Sequence, residues 1–301
     1  EMQRSLVGSE MCIRDRFTTR PDMPRRSCIM DKRKALEQTI AELVKEDICL
    51  AFSGGVDSSL LLKVAADAAA KTGRNVYAVT FDSRLHPSCD LEIATKVAEE
   101  LGGIHKVISV DELEQEEIRN NPVNRCYLCK RHLFQSLKNF AGTRGIRTII
   151  DGTNEDDMHV YRPGIKALKE LGIISPLAEL HITKAEVKSL AAEYGISVAS
   201  RPSTPCMATR LPYNTEINYE TLERIAQGEA YLRETFSGNI RLRLHGDIVR
   251  IEMDAPAMPE VLEKRQQVIT YLKNLGFLYI TLDLEGFRSG SMDIHVSNQG
   301  H

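Results

Sequence analysis

Ile48-Cys49-Leu50-Ala51-Phe52-Ser53-Gly54-Gly55-Val56-Asp57-Ser58 decides the fold of this chain. The five residues ending at Phe52 form a short apolar run, the mark of a strand buried on both faces. Ser59-Leu60-Leu61-Leu62-Lys63-Val64-Ala65 continues as a helix, which leaves Ser53 to Ser58 as a glycine turn between the two. Paired glycines admit a close backbone approach, and the free N–H groups and dipole of a helix start attract phosphate. Asp57 offers a metal contact and Ser58 a hydroxyl donor. No Gly-Lys-Ser/Thr follows, so the turn is not of the Walker type. The bland rival is a tight strand-to-helix turn with no ligand.

Outward from this stretch, strand and helix patterns alternate. A helix over residues 35–45 leads in, and strands are expected at 76–81, 105–110 and 148–151, with Ile173-Ile174 as a further candidate. Among the intervening helices, 91–101 ends at Gly102-Gly103. The helix 184–194 opens with Thr183 as N-cap and Glu186 three residues on, a capping box. This alternation predicts an α/β fold, a doubly wound parallel sheet with its ligand at the carboxyl ends of the strands. After Tyr213 the pattern becomes helix 219–235, strands 240–244 and 248–252, a helix from Pro259 to Leu275, and a strand at 279–282. That order predicts a small α+β domain over 214–301, beside a nucleotide-binding domain over 30–213. Residues 1–29 show no hydrophobic period, and Ser5 to Arg16 resembles a translated sequencing adapter. They are expected to be a disordered or artefactual extension, with the domain starting at Met30.

The 301 residues suffice for two domains with a sizeable core. A formal net charge of −3 and the absence of tryptophan argue against a general nucleic-acid binder. No apolar run approaches the ~20 residues of a membrane span. The seven cysteines (Cys12, Cys28, Cys49, Cys89, Cys126, Cys129 and Cys206) are odd in number and irregular in spacing, against a disulfide framework. A reducing, cytoplasmic setting is expected, where such cysteines mean chemistry, metal or core filling.

Four stretches together resemble the LarE family of ATP-dependent sulfur transferases, within the pyrophosphatase-loop superfamily. They are Ser53 to Ser58; Asp151-Gly152-Thr153-Asn154-Glu155-Asp156-Asp157 with Tyr161-Arg162-Pro163-Gly164; Pro205-Cys206-Met207-Ala208-Thr209-Arg210; and Arg241-Leu242-Arg243-Leu244-His245-Gly246-Asp247 with Arg250-Ile251-Glu252. The likeness spans about residues 30–296, and the last two stretches make it specific to the family. It implies an enzyme that adenylates a carboxylate of a pyridinium dicarboxylate mononucleotide and replaces it with a thiocarboxylate. The product lies on the way to the nickel-pincer nucleotide of lactate racemase and related enzymes. The cofactors implied are ATP with Mg²⁺, the partner is that small molecule, and a homo-oligomer is expected.

The resemblance assigns ATP contacts to Ser53, Gly54, Gly55, Asp57, Ser58, Phe81, Asp151, Gly152 and Asn154. Cys206 becomes the sulfur-handling nucleophile, with Arg201 and Arg210 as cations that would favour its thiolate. Arg241 and Arg243, two apart on one strand, share a face and suit a phosphate clamp, with Arg210 counted beside them. Glu252 and Glu260 are implied as ligands of a divalent metal, in the manner of the family. Each has a rival: a plain loop cysteine, a solvated strand face, two surface carboxylates. Lys184 reads equally as a helix-start residue or a phosphate contact, and His245 as a turn residue. Cys126-Tyr127-Leu128-Cys129 opens a helix pattern, and some relatives hold a 4Fe-4S cluster on three cysteines, here Cys126, Cys129 and Cys206. Zinc, a redox pair or helix-start packing are the alternatives. Three other functions compete: a tRNA-thiolating enzyme, an ammonia-dependent synthetase of the NAD or GMP synthase type, and a nucleotide-binding regulator without turnover.

Overall fold

The computed structural model describes residues 26–86, 88–159, 163–199, 205–288 and 290–293. Four strands form one parallel sheet: β1 (Ile48–Ala51), β2 (Val76–Ser83), β3 (Ile104–Val110) and β4 (Thr148–Ile150), in the order β3-β2-β1-β4. β1 is central, with Leu50 opposite Ala78 on one side and Ile150 on the other. Its alternating side chains divide the core as a period-two strand must. Ile48 and Leu50 pack with Leu36, Ile40, Leu61, Val187 and Leu190 on one face. Cys49 packs with Phe134, Leu137 and Leu168 on the other. The expected strand at Ile173-Ile174 is reduced to one parallel bridge, Ile150 to Ile174.

Chain order reverses between β1 and β4, which opens a crevice over their carboxyl ends, the usual ligand position in such sheets. The turn at Ser53 and the segment Asp151 to Asn154 both emerge there. The leading helix runs Arg26–Leu43, beginning four residues before Met30, because Ile29 is already buried in the first core. The capping box at Thr183 and Glu186 forms as read, and starts the helix Lys184–Glu193.

The second sheet orders β5 (Ile240–His245), β6 (Ile248–Met253) and β7 (Tyr279–Leu282) as β5-β6-β7. β5 and β6 are an antiparallel hairpin turned at Gly246, whose φ of +59° suits glycine. The helix expected from Pro259 to Leu275 is two helices, Met258–Glu263 and Arg265–Asn274. The break at Lys264 lets Val261 from the first and Val268 and Leu272 from the second all reach the core. That core reaches back across the chain to Leu85, Leu113, Ile118 and Met207. Among the described residues, no helix is long and apolar enough to cross a membrane.

Candidate active site

Gly54 turns the chain with φ +67°, and a Cβ there would stand 2.8 Å from the Cα of Ala94. Gly55 caps the helix Val56–Thr72 in an extended conformation. Ser58 Oγ donates to the Gly55 carbonyl at 3.1 Å and lies 3.3 Å from Ser53 Oγ, so the hydroxyls brace the turn from within. The segment after β4 packs directly on this helix start. A Cβ at Gly152 would meet Ser58 N at 3.1 Å and Asp57 Cβ at 3.2 Å. Asn154 Nδ2 donates to Asp57 Oδ1 at 3.0 Å while its own Oδ1 caps the short helix Glu155–Met158. Lys184, the first residue of its helix, pairs through Nζ with the other Asp57 oxygen. Asp151 accepts from Ser175 Oγ at 2.5 Å and Thr153 Oγ1 at 2.6 Å, with Lys130 Nζ 3.7 Å away. Phe81 lies half-buried on β2 against Phe134, ring centroids 5.9 Å apart. The structure thus joins Asp57, Ser58, Gly152, Asn154 and Lys184 in one cradle. Tyr161, Arg162 and Arg201 lie outside the described residues.

The second half of the site gathers around Arg125, at the start of the helix Arg125–Gly142. This side chain is buried; it donates to Asn121 Oδ1 at 2.5 Å and to Cys126 Sγ at 3.5 Å. Its charge also acts on the Cys206 and Cys129 thiols. Cys129 Sγ in turn lies 3.8 Å from Glu112 Oε1. Burial pushes the Cys206 thiol up from its ordinary value, and Arg125 opposes that. Cys129 is pushed well up by burial, then by the Glu112 carboxylate. Cys126 and Cys129 lie one turn apart on the same helix, and Cys129 and Cys206 pack against the same core; Cys49, Cys126, Cys129 and Cys206 are free thiols.

Beside them a cavity of about 340 Å³ is lined by Arg125, Thr209, Tyr213, Arg241, Arg243 and Phe287, among others. Arg241 lies over the Phe287 ring, 5.6 Å from its centroid. Burial and then the nearby Arg210 charge lower the Arg241 pKa from the usual arginine value. Arg243 is lowered by burial against the pull of Glu252. A cavity with three guanidinium groups on its wall, two of them with lowered values, favours an anion. Arg125 is the residue that sequence reasoning passed over as a site member; its place directly before Cys126 was the available signal.

Three expectations change. Arg210 is not on the cavity wall: it is 1 % exposed and both edges of its fork are occupied, by Glu229 and by the carbonyls of its own loop. Among the described residues, the arginine whose charge lowers the Cys206 thiol's pKa is Arg125. Glu252 is fully buried, accepting from Arg243 Nε at 3.0 Å, Arg250 Nη2 at 2.9 Å and Ser291 Oγ at 2.6 Å, while Glu260 pairs with Lys264 just past the end of its helix. Glu252 therefore orients arginines, because two guanidinium groups and a hydroxyl already satisfy it. Among the described residues, no group of three His, Cys, Asp or Glu side chains stands close enough to hold a metal ion. That holds for Cys126, Cys129 and Cys206, which are neighbours without being a formed ligand set.

A parallel sheet with a glycine turn, an aspartate and a lysine at its switch point defines an ATP-dependent enzyme of the pyrophosphatase-loop class, and the PP-loop domain family matches residues 30–160. The chain is 34% identical over 262 residues to the pyridinium-3,5-bisthiocarboxylic acid mononucleotide synthase of Lactiplantibacillus plantarum, covering 87% of this chain and 94% of that one. It is also 38% identical over 264 residues to an uncharacterised protein of Synechocystis, covering 87% of this chain and 97% of the relative. An uncharacterised protein of Methanocaldococcus jannaschii is 31% identical over 255 residues, 84% of this chain and 96% of that one. The chain belongs to the LarE family of ATP-dependent sulfur transferases.

Proposed function

We propose that this enzyme adenylates a carboxylate of a pyridinium dicarboxylate mononucleotide and exchanges it for a thiocarboxylate, in nickel-pincer nucleotide synthesis. The observation that carries the reading is the meeting of the Cys206 neighbourhood with the cavity of Arg125, Arg241 and Arg243. ATP, with Mg²⁺ as its counter-ion, occupies the cradle of Ser53, Gly54, Gly55, Asp57, Ser58 and Lys184. The substrate carboxylate attacks the α-phosphorus and pyrophosphate leaves, its charge met by the helix N–H groups and Lys184. Arg241 and Arg243 hold the mononucleotide phosphate. The Cys206 thiolate, stabilised by Arg125, attacks the acyl-adenylate carbonyl and expels AMP. Loss of the Cys206 α-proton with cleavage of its Cβ–S bond then leaves sulfur on the substrate and dehydroalanine in the chain.

A 4Fe-4S cluster on Cys126, Cys129 and Cys206 is the second reading of the sulfur source, favoured by the convergence of these thiols around Arg125. Such a cluster would supply exchangeable sulfide and spare the cysteine. The side chains as placed are not close enough to ligate a metal, so no step is assigned to it. One experiment separates the possibilities: anaerobic purification followed by turnover with ATP and the pyridinium dicarboxylate mononucleotide. Thiocarboxylate formation with the mass of one sulfur lost from Cys206 supports the direct route. Brown protein whose colour disappears in Cys126→Ala, with Cys206 intact after turnover, supports the cluster. ADP release, or activity only with tRNA or ammonia, would refute the proposed function.

A further inference from the structure

Arg210 and Glu229 form the most deeply buried ion pair of the Cys206 region, each 1 % exposed. The contact is bidentate: Nε reaches Oε1 at 2.9 Å and Nη2 reaches Oε2 at 3.0 Å. The remaining nitrogen, Nη1, donates to the carbonyls of Pro205 and Cys206 at 3.2 and 3.3 Å and to Thr209 Oγ1 at 3.1 Å. Thr209 Oγ1 itself donates to the Cys206 carbonyl at 2.8 Å. One guanidinium thus sets the backbone on which the Cys206 thiol is mounted.

Glu229, on the helix Tyr219–Thr235, carries the constraint onward. Its Oε1 also accepts the backbone N–H of Leu242 at 3.0 Å. Leu242 lies on β5 between Arg241 and Arg243, and β5 is the edge strand whose outward N–H has no strand partner. A second tie runs back: Arg243 Nη1 donates to the Thr209 carbonyl at 2.8 Å. The loop of Cys206 and the strand of the arginine clamp are therefore joined through one carboxylate.

We infer that Arg210 and Glu229 are positioning residues, a buried strut that fixes Cys206 relative to a mononucleotide held by Arg241 and Arg243. This rests on the reading of those three residues given above. The strut matters because the attacking sulfur and the held phosphate belong to different segments, and a misplacement of about 1 Å at a reacting group can cost on the order of 100-fold in rate. Lysine at position 210 keeps the charge but has no planar fork, so it cannot hold both Glu229 oxygens and two carbonyls together.

The test compares wild type with Arg210→Lys and Glu229→Gln in three measurements: nicotinic acid mononucleotide affinity by calorimetry, pyrophosphate release, and single-turnover thiocarboxylate formation at saturating substrate. The expected result for Arg210→Lys is unchanged pyrophosphate release, mononucleotide affinity within about 3-fold of wild type, and sulfur transfer slower by on the order of 100-fold. Glu229→Gln keeps an oxygen for Leu242 and is expected to lose roughly 10-fold in transfer alone. Loss of the buried pair lowers stability on either account, but a purely structural role would reduce all three measurements in proportion. That proportional loss would overturn the inference, as would a 10-fold or larger loss of mononucleotide affinity, or a wild-type transfer rate in both variants. Should Arg210→Lys not fold, Glu229→Gln decides alone on the same criteria. A wild-type protein that makes no thiocarboxylate would instead overturn the proposed function, a result seen before any variant is measured.

Discussion

Asp57 is where the cradle is most exacting. Its two oxygens are shared between Asn154 from the end of β4 and Lys184 from a helix start, so the carboxylate holds three segments together at the phosphate end. Asp57→Asn keeps the shape and removes the charge. Pyrophosphate release is expected to fall by at least about 100-fold, while the far-ultraviolet circular dichroism spectrum stays that of wild type. Gly54 is exacting for a steric reason. An alanine there would adopt φ +67°, a cost of about 1–2 kcal/mol, and its Cβ would press on the Ala94 backbone at 2.8 Å. Gly54→Ala should lower the melting temperature and weaken ATP binding by roughly 10-fold, read by calorimetry. An unchanged ATP affinity would mean that the turn does not approach the phosphates.

At the scale of elements, helix caps and candidate site residues coincide. Thr183 accepts from the Glu186 N–H, Glu186 answers with a bond from the Thr183 N–H, and the next residue is Lys184. Lys32 also donates to Glu186, at 2.7 Å, which fastens this helix start to the leading helix. Thr183→Ala is therefore expected to cost about 1 kcal/mol in urea unfolding and to raise the KM for ATP. Thr183→Ser should restore both, whereas an effect on stability alone would separate the cap from the cradle. The helix Arg125–Gly142 plays a comparable double part. Its first turn carries Arg125 and Cys126 at the thiol neighbourhood, and one turn further Lys130 reaches Asp151 in the cradle. One helix thus links the thiol neighbourhood to the segment after β4 that packs on the glycine turn.

Across the whole molecule, the two sheets share more than a linker. Leu85, Leu113 and Ile118 from the first half pack in the same cluster as Leu242, Val249 and Leu272 from the second. Met207 and Leu211, flanking the Cys206 loop, are buried in it too, so that loop is mounted on the shared core. Glu229 lies inside the same mass and makes its stability depend on pH. Burial alone would raise its pKa, but the Arg210 hydrogen bonds, then the Arg210 and Arg233 charges and the Leu242 N–H, hold it below the usual value. A lowered folded value means stabilisation that is present above the unfolded value of about 4.3 and lost as pH falls through the folded one. Breaking a buried pair by removing one partner costs about 3–5 kcal/mol. Glu229→Gln should show a deficit of that order in urea unfolding at pH 7, and the gap to wild type should close below about pH 4. A gap that stayed constant down to pH 3 would show that Glu229 is not ionised in the folded protein.

Much of the architecture was legible locally. Strand against helix was readable from hydrophobic period at Ile48 to Val64, and the cap from Thr183 and Glu186, because neighbours in the chain determine each. The family was legible for the same reason, since its signatures are short contiguous motifs. What the chain alone left open were pairings between distant segments. Asp57 and Lys184 stand 127 residues apart, and Arg210 and Glu229 stand 19 apart on different elements. Glu252 read as a metal ligand and proved to be the buried anchor of Arg243 and Arg250; Arg210 read as a substrate contact and proved to be internal. A charged residue has the same letter whether it meets solvent, a ligand or a counter-charge. Only the tertiary structure decides which, because burying a charge demands a partner, and the packing of remote elements supplies that partner.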